Sequence, residues 1–303
     1  MAAAGRLLRV GIAALLLVVA FVVARTGEGE ARGVARAEGV DIFLGRATWI
    51  DIYDVSLYRQ PERTAARIAA RGVKTVFAET ANDRSTVDVV EPAALGRLVD
   101  ALHQRGVAVA AWYLPGFVAP GVDLRRARAM LSFSTPGGGR FDAVALDIES
   151  LRLKNTTRRS ARLISLLTKL KSEAGERPVG AIVYPHRALE RHPGWWPDFP
   201  WSEVGALADA VVPMAYTGGG FRGYDATYGY VTRSLRLLRR AVGDQEPLHI
   251  AGGVANRMNA EELQAFVDAT DDTTPEAGIS LYDFQTTTAA GWNALARALP
   301  SSP

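Results

Sequence analysis

From Ala47 onward, short apolar runs rich in β-branched residues alternate with longer stretches whose apolar positions recur every three or four residues. The runs read as strands buried on both faces, and the stretches as helices with one apolar stripe. Eight strands are predicted, at Ala47–Ile52, Val73–Glu79, Val107–Leu114, Ala143–Glu149, Val179–Tyr184, Ala210–Tyr216, Leu248–Gly253 and Gly278–Tyr282. Helical periodicity covers Glu62–Arg71, Pro92–Arg105, Thr156–Ala174, Tyr228–Val242 and Ala260–Ala269. Two junctions repeat, Arg71-Gly72-Val73 and Arg105-Gly106-Val107, each with a glycine where a helix end favours the left-handed conformation. Eight strands alternating with helices over about 250 residues predict a single (β/α)8 TIM barrel. The alternative is an open doubly wound sheet, but no Gly-x-Gly-x-x-Gly follows the first strand to support its dinucleotide-binding version.

A barrel places its chemistry where strands end and the following loops begin. Those ends carry Asp51 and Asp54, Glu79, Trp112 and Tyr113, Asp147 and Glu149, Tyr184, Met214 and Tyr216, then Tyr282, Asp283 and Gln285. The fourth strand stands out. Side chains alternate along a strand, so Ala145, Asp147 and Glu149 share one face while Val144, Leu146 and Ile148 share the other. Two acids with Cα atoms about 6–7 Å apart thus end an apolar strand. Such a pair cannot ionise freely, and one member is expected to hold a proton. Carboxyls of that kind beside aromatic faces suit glycoside hydrolysis, in which one acid protonates the leaving oxygen and sugar rings stack on aromatics. Glu149, nearer the strand tip, is the expected acid and Asp147 its partner. Glu79, Trp112, Tyr113, Tyr184, Met214, Tyr282 and Gln285 are the expected substrate-binding residues.

Composition narrows the classes. At 303 residues, with 48% hydrophobic and 22% charged, the chain can bury a large core. A net charge of +3 without an uninterrupted Lys/Arg block gives no nucleic-acid surface. The absence of cysteine excludes disulfides, thiolate zinc sites and thiol catalysis. Arg6 and Arg9 precede an apolar run, Val10 to Ala24, which Arg25 closes. This order predicts an exported protein, with residues 1–25 as a signal peptide or membrane anchor, 26–39 as a polar linker and 40–300 as the barrel. The expected location is secreted, or tethered to the outer face of the cytoplasmic membrane.

Asp142-Ala143-Val144-Ala145-Leu146-Asp147-Ile148-Glu149 resembles the Asp-x-x-Asp-x-Asp-x-Glu strand-four motif of family 18 glycoside hydrolases, the chitinases and their relatives. Val212-Pro213-Met214-Ala215-Tyr216 is similar to that family's strand-six Met-x-Tyr element. The resemblance implies Glu149 as proton donor, Asp147 as the residue orienting a substrate acetamido group that itself attacks the anomeric carbon, and Tyr216 as its helper. Three departures accompany it. Ala145 occupies the place of the motif's inner Asp, Thr217 that of an Asp commonly following the tyrosine, and the last strand offers Tyr282 and Phe284 where that family has a tryptophan floor. A second resemblance is to family 25 lysozyme-type muramidases, through Asp-x-Glu at strand four, Asp54-Val55-Ser56 and Gln285. Both imply an N-acetylated or cell-wall polysaccharide as substrate. Ala145 and Thr217 keep open a degenerate barrel that binds glycan without cleaving it.

Other features are less directive. Trp195, Trp196 and Trp201 lie in a proline-rich loop after strand five, where sugar stacking and loop ballast are equally served. Gly218-Gly219-Gly220 is placed to let a ligand approach the backbone, whereas Gly137-Gly138-Gly139 reads as a turn. His103, His186, His192 and His249 lack ligand spacing, so neither a metal site nor a cofactor is expected, although His186 stands near the expected substrate.

Overall fold

In the computed structural model, residues 39–243 and 247–298 are described. The expected N-terminal signal or anchor lies outside these residues, and no described helix is long and apolar enough to cross a membrane. All eight predicted strands are present: β1 (Arg46–Ile50), β2 (Thr75–Asn82), β3 (Ala108–Leu114), β4 (Ala143–Ile148), β5 (Val179–Val183), β6 (Ala210–Pro213), β7 (His249–Gly252) and β8 (Gly278–Leu281). They form one sheet in the order β6-β5-β4-β3-β2-β1-β8-β7, and every registered pair is parallel. Parallel bridges Val211↔Leu248 and Met214↔Ala251 join the two ends. The result is a (β/α)8 barrel.

The described helices are α1 (Val55–Tyr58), α2 (Pro61–Ala69), α3 (Pro92–His103), α4 (Pro120–Ser132), α5 (Thr156–Ala174), α6 (His186–Arg191), α7 (Trp201–Leu207), α8 (Gly223–Val242), α9 (Ala260–Thr273) and α10 (Ala289–Ala298). Gly72 and Gly106 adopt φ of 66° and 67°, the left-handed conformation expected at those junctions. α9 begins on a capping box, with Asn259 Oδ1 accepting from the Glu262 amide and Glu262 Oε2 accepting from the Asn259 amide. α4 has no counterpart among the periodic stretches of the sequence. Its stripe is interrupted by Arg126, which is buried and donates to the carbonyls of Asn82 and Ser85.

Strand alternation divides the core in two. Outward residues such as Val76, Val109, Val144 and Leu146 pack with helix residues including Ile68, Leu95, Leu163 and Leu235. Inward residues form a second cluster, with the aromatics Trp49, Phe77 and Trp112 on the first three strands and aliphatic residues, several of them alanine, on the others. Phe43, from a 3-10 turn before β1, lies against Gly180, where an added Cβ would come within 2.7 Å of the Phe43 ring. Phe77 stacks on Trp49 with centroids 4.3 Å apart.

The polar atoms at this level are paired. Trp49 Nε1 donates to Ser280 Oγ at 2.8 Å. Ser280 Oγ also lies 2.8 Å from His249 Nε2, and His249 Nδ1 lies 2.8 Å from the Phe43 carbonyl. Only an N–H can serve a carbonyl, which places the histidine proton on Nδ1 and leaves Nε2 to accept from the serine. Burial pushes the His249 pKa down to about 4, so the ring stays neutral.

Phe43 is fully buried at the centre of this interior. Phe43→Ala is expected to destabilise the barrel by about 3–5 kcal/mol, as loss of a large core ring does. Urea unfolding of the variant beside the parent chain checks this.

Candidate active site

At the C-terminal ends of the strands, a cavity of about 470 Å³ opens, within the range of small-molecule sites. β4 supplies its centre. Ala143 and Ala145 belong to the inward cluster, so the same alternation turns Asp147 and Glu149 toward the cavity they line. Asp147 is 6% exposed. Its Oδ1 is buried without a partner, and no hydrogen bond reaches either oxygen among the described residues. Glu149 is half-buried, and the Tyr184 hydroxyl donates to its backbone carbonyl, bracing the strand end.

Burial raises the Asp147 pKa well above the usual carboxylate range, and the like charges of Glu149 and Glu79 add to it. Burial also raises Glu149, with Asp83 as the adjoining like charge. Asp83 is held by Arg152, whose Nη1 lies 3.2 Å from its Oδ2. Glu79 is pushed up to about 7, chiefly by burial, against the opposing Ile52 amide that donates to its Oε2 at 3.1 Å. The Tyr216 phenol is driven far above its ordinary range by burial, then by Asp147 and Glu149, and therefore keeps its proton. Two hydrogen-bond donors of the cavity lining have no partner among the described residues, the Tyr216 hydroxyl and the buried Trp112 Nε1.

Of the expected site residues, Glu79, Trp112, Asp147, Glu149, Met214, Tyr216 and Tyr282 line the cavity. Three others do not. Tyr113 follows Trp112 and so faces the helix layer, where its hydroxyl donates to Asp123 Oδ1 at 2.7 Å. Tyr184 supports Glu149 through the backbone and lies outside the lining. Gln285 is exposed beyond β8 and is also outside it. Tyr282 packs tilted against Tyr216, with centroids 5.8 Å apart, and donates to Asp51 Oδ2 at 2.8 Å.

Sequence alternation does not find Asn82 and Asp83. The β2–β3 register shifts between Glu79 and Ala81, so an extra residue reverses the parity of everything after Glu79. Asn82, the last residue of β2, consequently reaches the cavity, as do Tyr53, Asp83, Arg84 and Arg152 from the loops. A second grouping also escapes the sequence. Asp51, Asp54 and Asp283 bring carboxylate oxygens within 4.8 Å of one another, a possible ligand set assembled from opposite ends of the barrel sequence. Protein donors already serve them: the Tyr53 amide and Tyr282 hydroxyl reach Asp51, the Asp51 amide reaches Asp54, and the Thr286 amide reaches Asp283.

The tryptophan loop divides its labour. Trp196 is buried against Phe117 and Phe199 and donates to Ser160, so it is ballast. Trp195 is 40% exposed and stacks on His192 at 4.3 Å. His186 stacks on Trp201 rather than lining the cavity. Gly218 is required by packing, since a Cβ there would lie 2.5 Å from the Val254 carbonyl.

No protein-family model and no curated protein sequence matches the chain. Solved structures do share its fold. The spore cortex-lytic enzyme SleL of Bacillus cereus superposes with a TM-score of 0.64 at 10% identity, over 86% of this chain and 75% of that one. A chitinase from Chromobacterium violaceum gives 0.62 at 13% identity, over 86% and 100%. A family 18 chitinase from Pseudoalteromonas aurantia gives 0.55 at 13% identity, over 84% and 100%. The chain thus shares its barrel fold with these enzymes.

The raised carboxyls give a signed pH dependence. Glu79 and Asp54 both stand at about 7 in the folded chain, above their ordinary 4.5 and 3.8. The folded state binds more protons in that interval, so stability is highest below it and falls as pH rises toward 7. Thermal unfolding at pH 5 and pH 8 is expected to show the loss, and Glu79→Gln to shrink it by at most about 3 kcal/mol.

Proposed function

We propose that the protein is a glycoside hydrolase acting on an N-acetylated or cell-wall polysaccharide, with Glu149 as general acid. The observation that carries this reading is Asp147: a buried carboxyl with no hydrogen bond, beside a second raised carboxyl and two unpaired donors. Leaving a buried polar group unpaired costs about 1–3 kcal/mol. A ligand offering one N–H and nearby acceptors removes that cost, and an acetamido group offers both. Its N–H would serve Asp147, and its carbonyl oxygen would accept from the Tyr216 hydroxyl.

The chemistry then follows from the protonation states. Burial and like charge let the Asp147–Glu149 pair keep a proton where exposed carboxylates have lost theirs. An acetamido N–H favours ionised Asp147, which leaves the proton on Glu149, facing the glycosidic oxygen. As Glu149 gives it up, the acetamido oxygen attacks the anomeric carbon and the leaving sugar departs. Ionised Asp147 balances the positive charge that develops on the acetamido nitrogen. Water then opens the cyclic intermediate, returning a proton to Glu149. The family 18 resemblance of β4 and the fold shared with chitinases support this route. Export, read from the apolar segment Val10 to Ala24, suits an extracellular glycan.

Glu149→Gln is expected to lower kcat about 10²–10⁴-fold while binding of chitooligosaccharides persists. Asp147→Asn is expected to lose the preference for acetylated over deacetylated oligomers. Reducing-end assays on chitooligosaccharides and peptidoglycan fragments measure both. Hydrolysis unchanged by Glu149→Gln, or none by the parent chain on any N-acetylated glycan, overturns the reading.

A further inference from the structure

The resembling motif places an acid at position 145, below Asp147, where this chain has Ala145. The barrel interior explains what excludes one. The Cβ that Gly180 lacks would lie 2.7 Å from the Phe43 ring and 3.2 Å from the Ala145 methyl, so ring and methyl close on one small volume. A carboxyl there would meet apolar surface on that side. The level is not without an acid, however. By register, Glu79 pairs with Trp112, Trp112 with Ala145, and Ala145 with Gly180, which sets them in one row across β2 to β5. Glu79 is the acid of that row. It is 3% exposed, lines the same cavity as Asp147, and is anchored by the Ile52 amide at 3.1 Å.

We propose that Glu79 is a positioning residue acting through Asp147: from β2 it stands in for the absent strand-four acid and governs which carboxyl of the Asp147–Glu149 pair carries their proton. The surroundings leave it that role. Around Glu79 stand Asp51 and the Tyr58 hydroxyl from the β1 side, and Glu149 from β4. Around Asp147 stand Glu149, Glu79 and the phenols of Tyr184 and Tyr216; Asp283 faces Tyr216 from β8. All of these are acids or phenols. The cations of the cavity are Arg84 and Arg152, and Arg152 is engaged by Asp83. With no cation in that set, an ionised Glu79 drives the shared proton onto Asp147, away from the leaving-group oxygen. A neutral Glu79 releases it toward Glu149. Its own titration near 7 supports such a switch.

The catalytic consequence rests on the glycosidase reading, but the proton placement is measurable without substrate. Carbon-13 carboxyl titration of the full chain identifies the Asp147 resonance by its loss in Asp147→Asn. In Glu79→Gln, whose amide oxygen still accepts from Ile52, the Asp147 midpoint is expected to fall by half a pH unit or more. In Glu79→Asp, which restores a carboxyl, it is expected to return most of the way. Thermal unfolding of each variant confirms that it is folded. An Asp147 midpoint that is unmoved in folded Glu79→Gln, or that fails to recover in folded Glu79→Asp, overturns the proposal. A midpoint that moves as expected in a protein that cleaves no glycan sustains the Glu79 role and removes only the glycosidase reading.

Discussion

A closed parallel barrel has one interior, and eight strands must fill it without void or overlap. Here the volume is shared unequally. Phe43, Trp49, Phe77 and Trp112 enter from the β1–β3 side, and Ala143, Ala145, Gly180, Ala210 and Ala251 face them from the other strands. The Phe43 ring leaves no room for a Cβ at Gly180. Gly278 shows how tight this is, since a Cβ there would fall 2.1 Å from the Phe43 carbonyl. The apolar plug supports the site from below and fixes where a carboxyl has room. Room exists at Glu79, which shares the row of Ala145 and Gly180, and at Asp147 and Glu149 above that row.

That plug also shapes the electrostatics of the mouth. Carboxyls set above an aromatic floor lose water on their inner side, and loss of water favours the neutral form. Proximity to one another reinforces the effect. The cavity therefore stores protons at pH values where surface carboxylates are ionised, a property that acid catalysis on a neutral sugar requires. Tyr216 and Tyr282 complete the wall with phenols whose protons are secured by the same burial. The Tyr282 hydroxyl donates to Asp51 Oδ2.

Features governed by local chemistry were legible in the sequence. The predicted helix Thr156–Ala174 coincides with α5, and the inward direction of Asp147 and Glu149 follows from strand alternation alone. The same rule separates Trp112 from Tyr113: adjacent residues on one strand cannot both face the cavity, and only Trp112 does. What escaped depends on register or on distant chain segments. One extra residue in β2 turned Asn82 toward the site, and Asp83 reaches it from the turn that follows. Asp51 and Asp283 meet because β1 and β8 are neighbours in a closed sheet, a fact that no spacing within either segment records. The Ala145 substitution was visible, but its cause, the Phe43 ring entering from a turn 102 positions earlier (145 − 43), was not.

The interior and the mouth are physically continuous through Trp49. Its indole N–H begins the hydrogen-bonded line through Ser280 and His249 to the Phe43 carbonyl, which ties β1, β7, β8 and the preceding turn together. Its ring meets Trp112 edge-on at 6.0 Å and Tyr282 at 6.2 Å, both of which line the cavity. A buried line with every atom paired specifies one arrangement more sharply than apolar contact does, because shifting any member leaves the others unpaired. His249 can take part only while neutral, and burial holds it so. The Trp112 ring of the cavity wall thus rests against a Trp49 that is fixed by pairings deep in the barrel.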